Sequence, residues 1–188
     1  MPTFYEMKPV EILEQTMEAD KYAAAYLAAQ ESISSLRKKE VKAGICLTVA
    51  AVIGALIPAY HTHSATYWVP IGAIAAAVLL AALFYFVQPS NIKRWAAELY
   101  RSNALLALPE KISIYRDSVL IENQYEQMME YWTDFYKCVE SKSLFVAIGG
   151  RERNLLVIKK QTLTEEQRNT LSAHFADAFA SRYQKSGR

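Results

Sequence analysis

Two pairs of residues carry the side chains that metal binding or nucleophilic catalysis requires. His61 and His63 stand two positions apart, but a zinc site needs three or four ligands, so this spacing predicts a polar loop. Cys138 and His174 have the groups of a thiol–imidazole pair, yet neither stands in a nucleophile motif. Cys46 lies in an apolar run, where a small packing role is expected. The sequence thus predicts no catalytic residue, no metal ligand and no cofactor, and we expect a protein that is not an enzyme.

A basic cluster offers a different chemistry, the binding of anions. Arg151, Arg153, Lys159 and Lys160 surround one predicted hairpin, and each such side chain near an anionic membrane surface contributes about 1 kcal/mol of attraction. Trp95 has an aromatic side chain that can anchor at a membrane interface or pack in a core. These five residues are the candidates for binding a lipid or a partner.

Four acidic residues follow one another at steps of four: Glu122, Glu126, Glu130 and Asp134. Residues at this spacing share one face of a helix. The spacing therefore predicts a solvated acidic helix face, or alternatively an acidic patch that meets a basic partner.

The charges that surround these residues are unevenly distributed along the chain. The 188 residues carry 21 Lys/Arg and 19 Asp/Glu, a net charge of +2, which is too small an excess to predict nucleic-acid binding. Two cysteines exclude a disulfide scaffold. Residues 43–87 contain no Asp, Glu, Lys or Arg, and a surface helix of a soluble protein requires a polar face.

The uncharged stretch predicts a membrane hairpin of two helices. Two apolar runs, 43–60 and 67–87, are separated by the short polar segment 61–66. At about 1.5 Å per residue each run covers roughly 27–32 Å, and the core of a bilayer is about 30 Å thick. The alternative is a buried helical hairpin in a soluble protein. Basic residues flank both runs at 37–42 and 93–101, and the connecting segment has none, so the positive-inside rule predicts a multi-pass protein with both termini in the cytoplasm.

The remaining segments are predicted to be cytoplasmic. Residues 10–13 fit a strand or the start of a helix, and a helix is expected from about Asp20. The step 88–90 predicts a break after which a juxtamembrane helix begins, and residues 181–188 are expected to be a frayed tail. We predict four segments: an N-terminal segment 1–42, the hairpin 43–87, a juxtamembrane helix 88–108 and an α+β domain 109–188.

The domain prediction depends on a change of periodicity after residue 108. Short apolar stretches with strand character occur at 111–116, 118–121, 143–148 and 154–159, and Gly149-Gly150 favours a hairpin turn between the last two. Thr164 and Gln167 form a capping box, behind which Leu171, Phe175, Ala178 and Phe179 make an apolar stripe. Short strands followed by one amphipathic helix predict a small α+β unit.

The order of parts resembles the YcxB-like family. The stretches that carry the resemblance are ISIYRDSVLIEN, YWTDFYKCVES and LLVIKKQTLTEEQ. Trp132, Asp134 and Phe135 are similar to an aromatic-x-acidic-aliphatic step of the family, and Lys159 matches a lysine after the last strand, although Ile158 stands where the family commonly has proline. The resemblance implies a small antiparallel sheet or a pleckstrin-homology-like barrel with a C-terminal helix, a fold that binds lipid head groups or peptides.

These observations lead to two expectations about function. The first is a membrane-anchored, non-enzymatic interaction module in a bacterial inner membrane, which binds a protein partner or anionic lipid head groups and is able to form homo-oligomers. The alternative is an inner-membrane immunity protein that neutralises a membrane-active toxin.

Overall fold

The computed structural model describes residues 8–34, 39–61 and 65–186. These residues form two compact units. The α+β unit combines residues up to Ala29 with those from Lys93 onward, and the helical unit is Gln30–Ile92. Both ends of the described chain therefore belong to the same unit.

Four α-helices, eight strands and short 3-10 helices make up the regular structure of the described residues. The helices are α1 (Ala19–Ile33), α2 (Lys39–His61), α3 (Ala65–Ser102) and α4 (Glu165–Phe179). The strands are β1 (Glu11–Thr16), β2 (Pro109–Ile114), β3 (Ser118–Glu122), β4 (Gln127–Tyr131), β5 (Lys137–Glu140), β6 (Leu144–Ile148), β7 (Leu155–Lys159) and β8 (Tyr183–Lys185).

Both apolar runs of the sequence are helical, as predicted. Within the described residues, one helix, over Gly72–Ser102, is long and apolar enough to cross a membrane, judged by its length and composition. Several large apolar side chains on its surface are exposed: Leu79, Leu80, Leu83 and Phe84 are between 46% and 68% exposed.

The predicted break at residues 88–90 is wrong, because α3 continues through Pro89 to Ser102. A proline inside a helix removes one backbone hydrogen bond and costs about 3 kcal/mol. The turns beyond it are held by tertiary contacts: Ala96 is fully buried, and the Tyr100 hydroxyl donates to the carbonyl oxygen of Met17 at 2.7 Å.

Sheet A contains β1, β2, β3 and β4 in that order, and all its pairs are antiparallel. The N-terminal segment at 10–13 is a strand, since β1 pairs with β2 in a register that places Leu13 opposite Ile112. Leu13, Ile112 and Ile121 lie in one row on the inner face.

Sheet B has the order β7-β6-β5-β8. The frayed tail predicted at 181–188 is wrong as far as Lys185, because a 3-10 helix (Ala180–Arg182) leads into β8, which pairs parallel to β5. The Tyr183 hydroxyl donates to the carboxylate of Glu140 on β5, and this side-chain contact holds the short strand in place.

The acidic helix face predicted between residues 122 and 134 is also wrong. Glu122 ends β3, and Glu130 lies in β4. A step of four is an even number, so it keeps side chains on one face of a strand as well as on one face of a helix. Glu130 faces the interior and is only 1% exposed.

Two apolar clusters lie on opposite faces of sheet B. One fills the space between the two sheets and α4, and includes Trp132, Phe135 and Phe175. The other lies between sheet B, α1 and the end of α3, and includes Tyr22, Val146 and Val157. Because both faces are covered, every residue of β6 and β7 is buried, which explains their unbroken apolar sequences.

The α+β fold is confirmed, and so are two local predictions. Thr164 and Gln167 form both hydrogen bonds of the capping box at the start of α4. Gly149 has φ +83° in the β6–β7 turn, a conformation that glycine adopts without strain. The two sheets do not close into a barrel within the described residues: β1 and β7 are adjacent edges joined by the Gln15 side chain rather than by a backbone ladder.

Candidate functional site

The Gln15 side chain joins the two sheets at this seam. Its amide Nε2 donates to the carbonyl oxygen of Val157 at 2.6 Å, and its Oε1 accepts the Lys159 N–H at 3.0 Å. Gln15 is 6% exposed, so the amide replaces the two bonds that a neighbouring strand would make to β7. The sequence pattern gave no signal for this role, because a polar residue in a short strand is usually assigned to the solvent face.

Lys159, a candidate for lipid binding, is part of the same seam. Its Nζ donates to the carbonyl oxygen of Thr16 at 2.6 Å and lies 3.3 Å from Glu18 Oε1. The Lys159 side chain is 9% exposed. The ammonium group therefore caps the end of β1 and has little surface left for a ligand.

Arg153 is also engaged within the chain. Its Nη2 lies 2.6 Å from Oε1 of Glu110, whose side chain is only 2% exposed. A buried carboxylate needs a charged partner, and Arg153 supplies it from the β6–β7 turn.

Lys160 lies in a polar cluster around Glu140. Its Nζ is 2.7 Å from Glu140 Oε1 and 4.4 Å from the centroid of the Phe145 ring. Ser172 and Tyr183 also donate to Glu140 Oε2. Burial alone would raise the pKa of Glu140, but the hydrogen bonds from Lys160, Tyr183 and Ser172 outweigh it and lower the pKa to about 2. The cluster fastens β5, α4 and β8 to one another.

The other two candidates are accessible. Arg151 is exposed in the β6–β7 turn. Trp95 is 51% exposed and packs edge-on against Tyr26, with 5.1 Å between ring centroids. The structure thus does not bring the four basic candidates into one exposed patch. Three of them form ion pairs within the chain: Arg153 with Glu110, Lys159 with Glu18 and Lys160 with Glu140.

Glu130 is a buried carboxylate that sequence reasoning assigned to a solvated face. Its Oε1 accepts the N–H groups of Glu152 at 2.7 Å and Arg153 at 2.5 Å. Burial raises the pKa of Glu130, and these two hydrogen bonds oppose that effect. Gly150 makes the close approach possible, since a Cβ there would lie 2.0 Å from Glu130 Oε2. Glu130 thus ties the β6–β7 turn to β4.

Of the thiol and the imidazole weighed as a nucleophile pair, the thiol of Cys138 lies in the interior of the α+β unit and His174 on α4 is partly buried. Cys138 is 1% exposed, and burial raises its pKa to about 12, so the thiol is protonated at neutral pH. Burial also lowers the pKa of His174, against the opposing effect of Asp177 and Asp117. Within the described residues, no group of three or more His, Cys, Asp or Glu side chains is arranged to hold a metal ion.

The helical unit contains an apolar groove of about 410 Å³ between its two helices. The groove is lined by Val41, Gly44, Ile45 and Thr48 of α2 and by Val78, Ala81 and Ala82 of α3. The Thr48 hydroxyl donates to the Gly44 carbonyl oxygen within its own helix at 2.9 Å. The surface that the groove presents is therefore almost entirely hydrocarbon.

No protein-family model matches the chain, and neither a curated protein nor a solved structure is significantly similar to it.

Proposed function

We propose that the chain is a membrane-anchored, non-enzymatic interaction module. The helical unit crosses the membrane twice, and the α+β unit binds a protein partner or anionic lipid head groups on the cytoplasmic side of a bacterial inner membrane. The proposal includes membership of the YcxB-like family, supported by the order of parts and by two sheets with a C-terminal helix, an arrangement similar to an opened pleckstrin-homology-like barrel.

The pairing of β1 with β2 is the observation that carries this proposal. β1 precedes the helical unit in sequence and β2 follows it, so both ends of the helical unit must be on the same side of a membrane. A chain that leaves and returns to one side crosses an even number of times. This supports two spans, α2 and α3, rather than the single span that composition identifies most readily in α3.

The charges around the spans support the side on which the ends lie. Basic residues at 37–42 precede the first apolar run and basic residues at 93–101 follow the second, and the segment 61–66 between the runs has none. By the positive-inside rule, both ends are cytoplasmic and the connecting segment is external.

Cysteine labelling in intact cells tests this topology. In a chain with Cys46→Ala and Cys138→Ala, a membrane-impermeant maleimide is expected to label Ser64→Cys before lysis and Ser186→Cys only after lysis. Labelling of Ser186→Cys in intact cells, with Ser64→Cys protected, would contradict the proposal.

Native mass spectrometry of the full chain, extracted from its own membranes in detergent, tests the interaction. We expect a co-purifying protein or anionic lipid in fixed stoichiometry. Neutral lipid in variable amounts, as carried by any membrane protein, is the result that would count against an interaction module.

A further inference from the structure

The outer edge of β4 is open. In an antiparallel pair, alternate residues point their N–H and C=O groups toward the partner strand or away from it. The Asn123 N–H donates to the Glu126 carbonyl at 2.9 Å, and the Trp132 N–H donates to the Asp117 carbonyl at 3.0 Å. Both bonds involve even-numbered residues next to β4, so the even-numbered residues of β4 form the hydrogen bonds to β3. The N–H groups of the odd-numbered residues Gln127, Met129 and Tyr131 point the other way, toward the outer edge of sheet A. Among the described residues, no further strand pairs at that edge.

The edge lacks three of the features that protect natural edge strands, although Glu130, a charged residue of β4 that points inward, is a feature of that kind. Lysines, prolines and bulges protect natural edge strands, whereas β4 has the sequence QMMEY and pairs with β3 in regular register. Its outer face is accessible, since Tyr131 is 50% exposed, and the nearby Tyr125 and Tyr136 are 74% and 63% exposed.

The β3–β4 hairpin and the turn after it are acidic. Residues 117–136 contain five acidic residues and no Lys or Arg, and all of them except the buried Glu130 are exposed or partly exposed. Arg116 precedes this stretch, and Lys111 on β2 lies opposite Glu122. Glu122 and Glu126 lie at the end of the β3–β4 hairpin where β4 begins, and Asp134 and Asp117 lie where β4 ends. Acidic groups thus flank an apolar centre formed by Met129, Tyr131 and the neighbouring Leu120.

We propose that the β4 edge binds an extended basic segment of a partner protein as an added strand. The backbone of that segment bonds to the N–H groups of Gln127, Met129 and Tyr131 and to the carbonyl groups of Gln127 and Met129, which is the β-augmentation mode of peptide recognition; the Tyr131 carbonyl already accepts the Asp134 N–H at 3.0 Å. Its alternate apolar side chains lie beside Met129 and Tyr131, and its basic residues at either end face the acidic flanks. The inference rests on the proposed function and specifies its partner.

Charge and geometry argue against the other occupants of this edge. Pairing of β4 with β4 of a second copy would bring two acidic hairpins together, and like charges directly opposite each other destabilise a sheet. An anionic bilayer would be repelled by the same carboxylates. A basic strand is the occupant for which both the backbone and the charges are complementary.

Binding of a synthetic peptide, KKVTVTVKK, to the full chain in neutral-lipid nanodiscs tests the proposal. We expect saturable binding that weakens with salt, together with slower hydrogen exchange at the amides of Gln127, Met129 and Tyr131. A peptide with glutamate in place of every lysine is expected to bind about tenfold or more weakly. The lysine peptide carrying N-methyl groups on alternate residues keeps the charge but loses one hydrogen-bonding edge, and is expected not to protect these amides.

Substitutions of Met129 separate the backbone from the side chain. Met129→Pro removes an N–H that faces away from β3, a position where an edge strand tolerates proline, and is expected to weaken peptide binding about tenfold or more. Met129→Thr shortens the side chain but keeps the N–H, and is expected to retain most of the affinity. If circular dichroism shows that Met129→Pro disrupts the fold, the N-methylated peptide alone tests whether binding depends on backbone hydrogen bonds.

Equal binding of the N-methylated peptide or of the glutamate peptide would overturn the proposal, as would the absence of any binding at millimolar peptide. Self-association through β4, or protection of these amides by anionic vesicles alone, would also overturn it. Such a failure is distinguishable from failure of the proposed function, since topology and co-purification are measured without the peptide.

Discussion

Gly150 is the residue at which the packing of the α+β unit is tightest. A Cβ there would lie 2.0 Å from Glu130 Oε2, 2.6 Å from the Arg153 carbonyl oxygen and 2.7 Å from Phe135 Cε1. Two of these neighbours are a buried carboxylate and a buried aromatic ring, so neither can move away easily. The glycine is required for space, whereas its neighbour Gly149 is required for its positive φ.

Gly150→Ala is therefore expected to lower the free energy of unfolding by at least about 2 kcal/mol. Gly72→Ala is the matched control, because no atom lies within 4 Å of a Cβ at that position. Thermal unfolding of both variants in detergent, followed by the fluorescence of the chain's tryptophans, measures the difference. Equal stability of the two variants would show that the β6–β7 turn is not packed against Glu130.

Glu140 makes the stability of the unit depend on acidity. Its pKa in the folded chain is about 2, below its ordinary value of 4.5, so the carboxylate stabilises the fold fully above pH 4.5. This contribution is lost as the pH falls from 4.5 through about 2. The difference in unfolding free energy between the unmodified chain and Glu140→Gln should accordingly be largest at neutral pH and should shrink as the pH falls through that window. Glu166→Gln, at an exposed position, is the control and should not lower the unfolding free energy comparably at neutral pH. A difference that stays constant down to pH 2 would contradict the role of Glu140.

At the scale of elements, the Gln15 bridge between β1 and β7 is one of the contacts that join the two sheets, beside the bond from Lys159 to Thr16 and the Arg153–Glu110 ion pair. Gln15→Ala leaves the Val157 carbonyl and the Lys159 N–H without their partner, and each unsatisfied buried group costs about 1–3 kcal/mol. We expect a loss of about 2–4 kcal/mol and faster hydrogen exchange at the Lys159 amide. Glu14→Ala, on the exposed face of the same strand, should change stability by less than about 0.5 kcal/mol. Unchanged exchange at Lys159 in the Gln15 variant would mean that the bridge does not hold the seam.

Elements with strong local signals were predicted from sequence, and those held by distant side chains were not. The apolar runs of α2 and α3, the strands β6 and β7, and the capped helix α4 each have a pattern or a turn that identifies them locally. β8 was missed because its position depends on the Glu140 carboxylate, 43 residues earlier in the chain. The acidic side chains around β4 predicted a helix because a spacing of four residues fits one face of a helix as well as one face of a strand.

The difference between local signals and distant contacts also explains why the sequence identified the candidate basic residues but not their ion-pair partners. Sequence reasoning identified the basic cluster, but it could not show that Arg153 and Lys160 face the carboxylates of Glu110 and Glu140. Those acidic residues come from other strands, and their pairing depends on tertiary packing. Arg151 is exposed, and Trp95 is 51% exposed although it packs against Tyr26.

At the scale of the whole molecule, the α+β unit is assembled from two distant parts of the chain. Residues up to Ala29 provide β1 and most of α1, and residues from Lys93 onward provide the rest. The sequence order suggested a domain over 109–188 and left open whether the N-terminal segment, with its candidate strand at 10–13, completes the sheet. Periodicity carries no information about pairing across the helical unit that intervenes. Without β1, β2 would lose the strand that pairs with it on one side. The Val157 carbonyl and the Lys159 N–H would lose their hydrogen bonds to the Gln15 side chain.

This arrangement sets the order of events during synthesis. Gln15 and Val157 are 142 positions apart, so at a translation rate of about 5–20 residues per second, β1 waits roughly 7–30 seconds for β7 to leave the ribosome. During that interval the whole helical unit is synthesised, while β1 lacks the partners on β2 and β7 that it has in the folded α+β unit. The α+β unit can therefore close only after residues 30–92, which separate its two parts, have been synthesised.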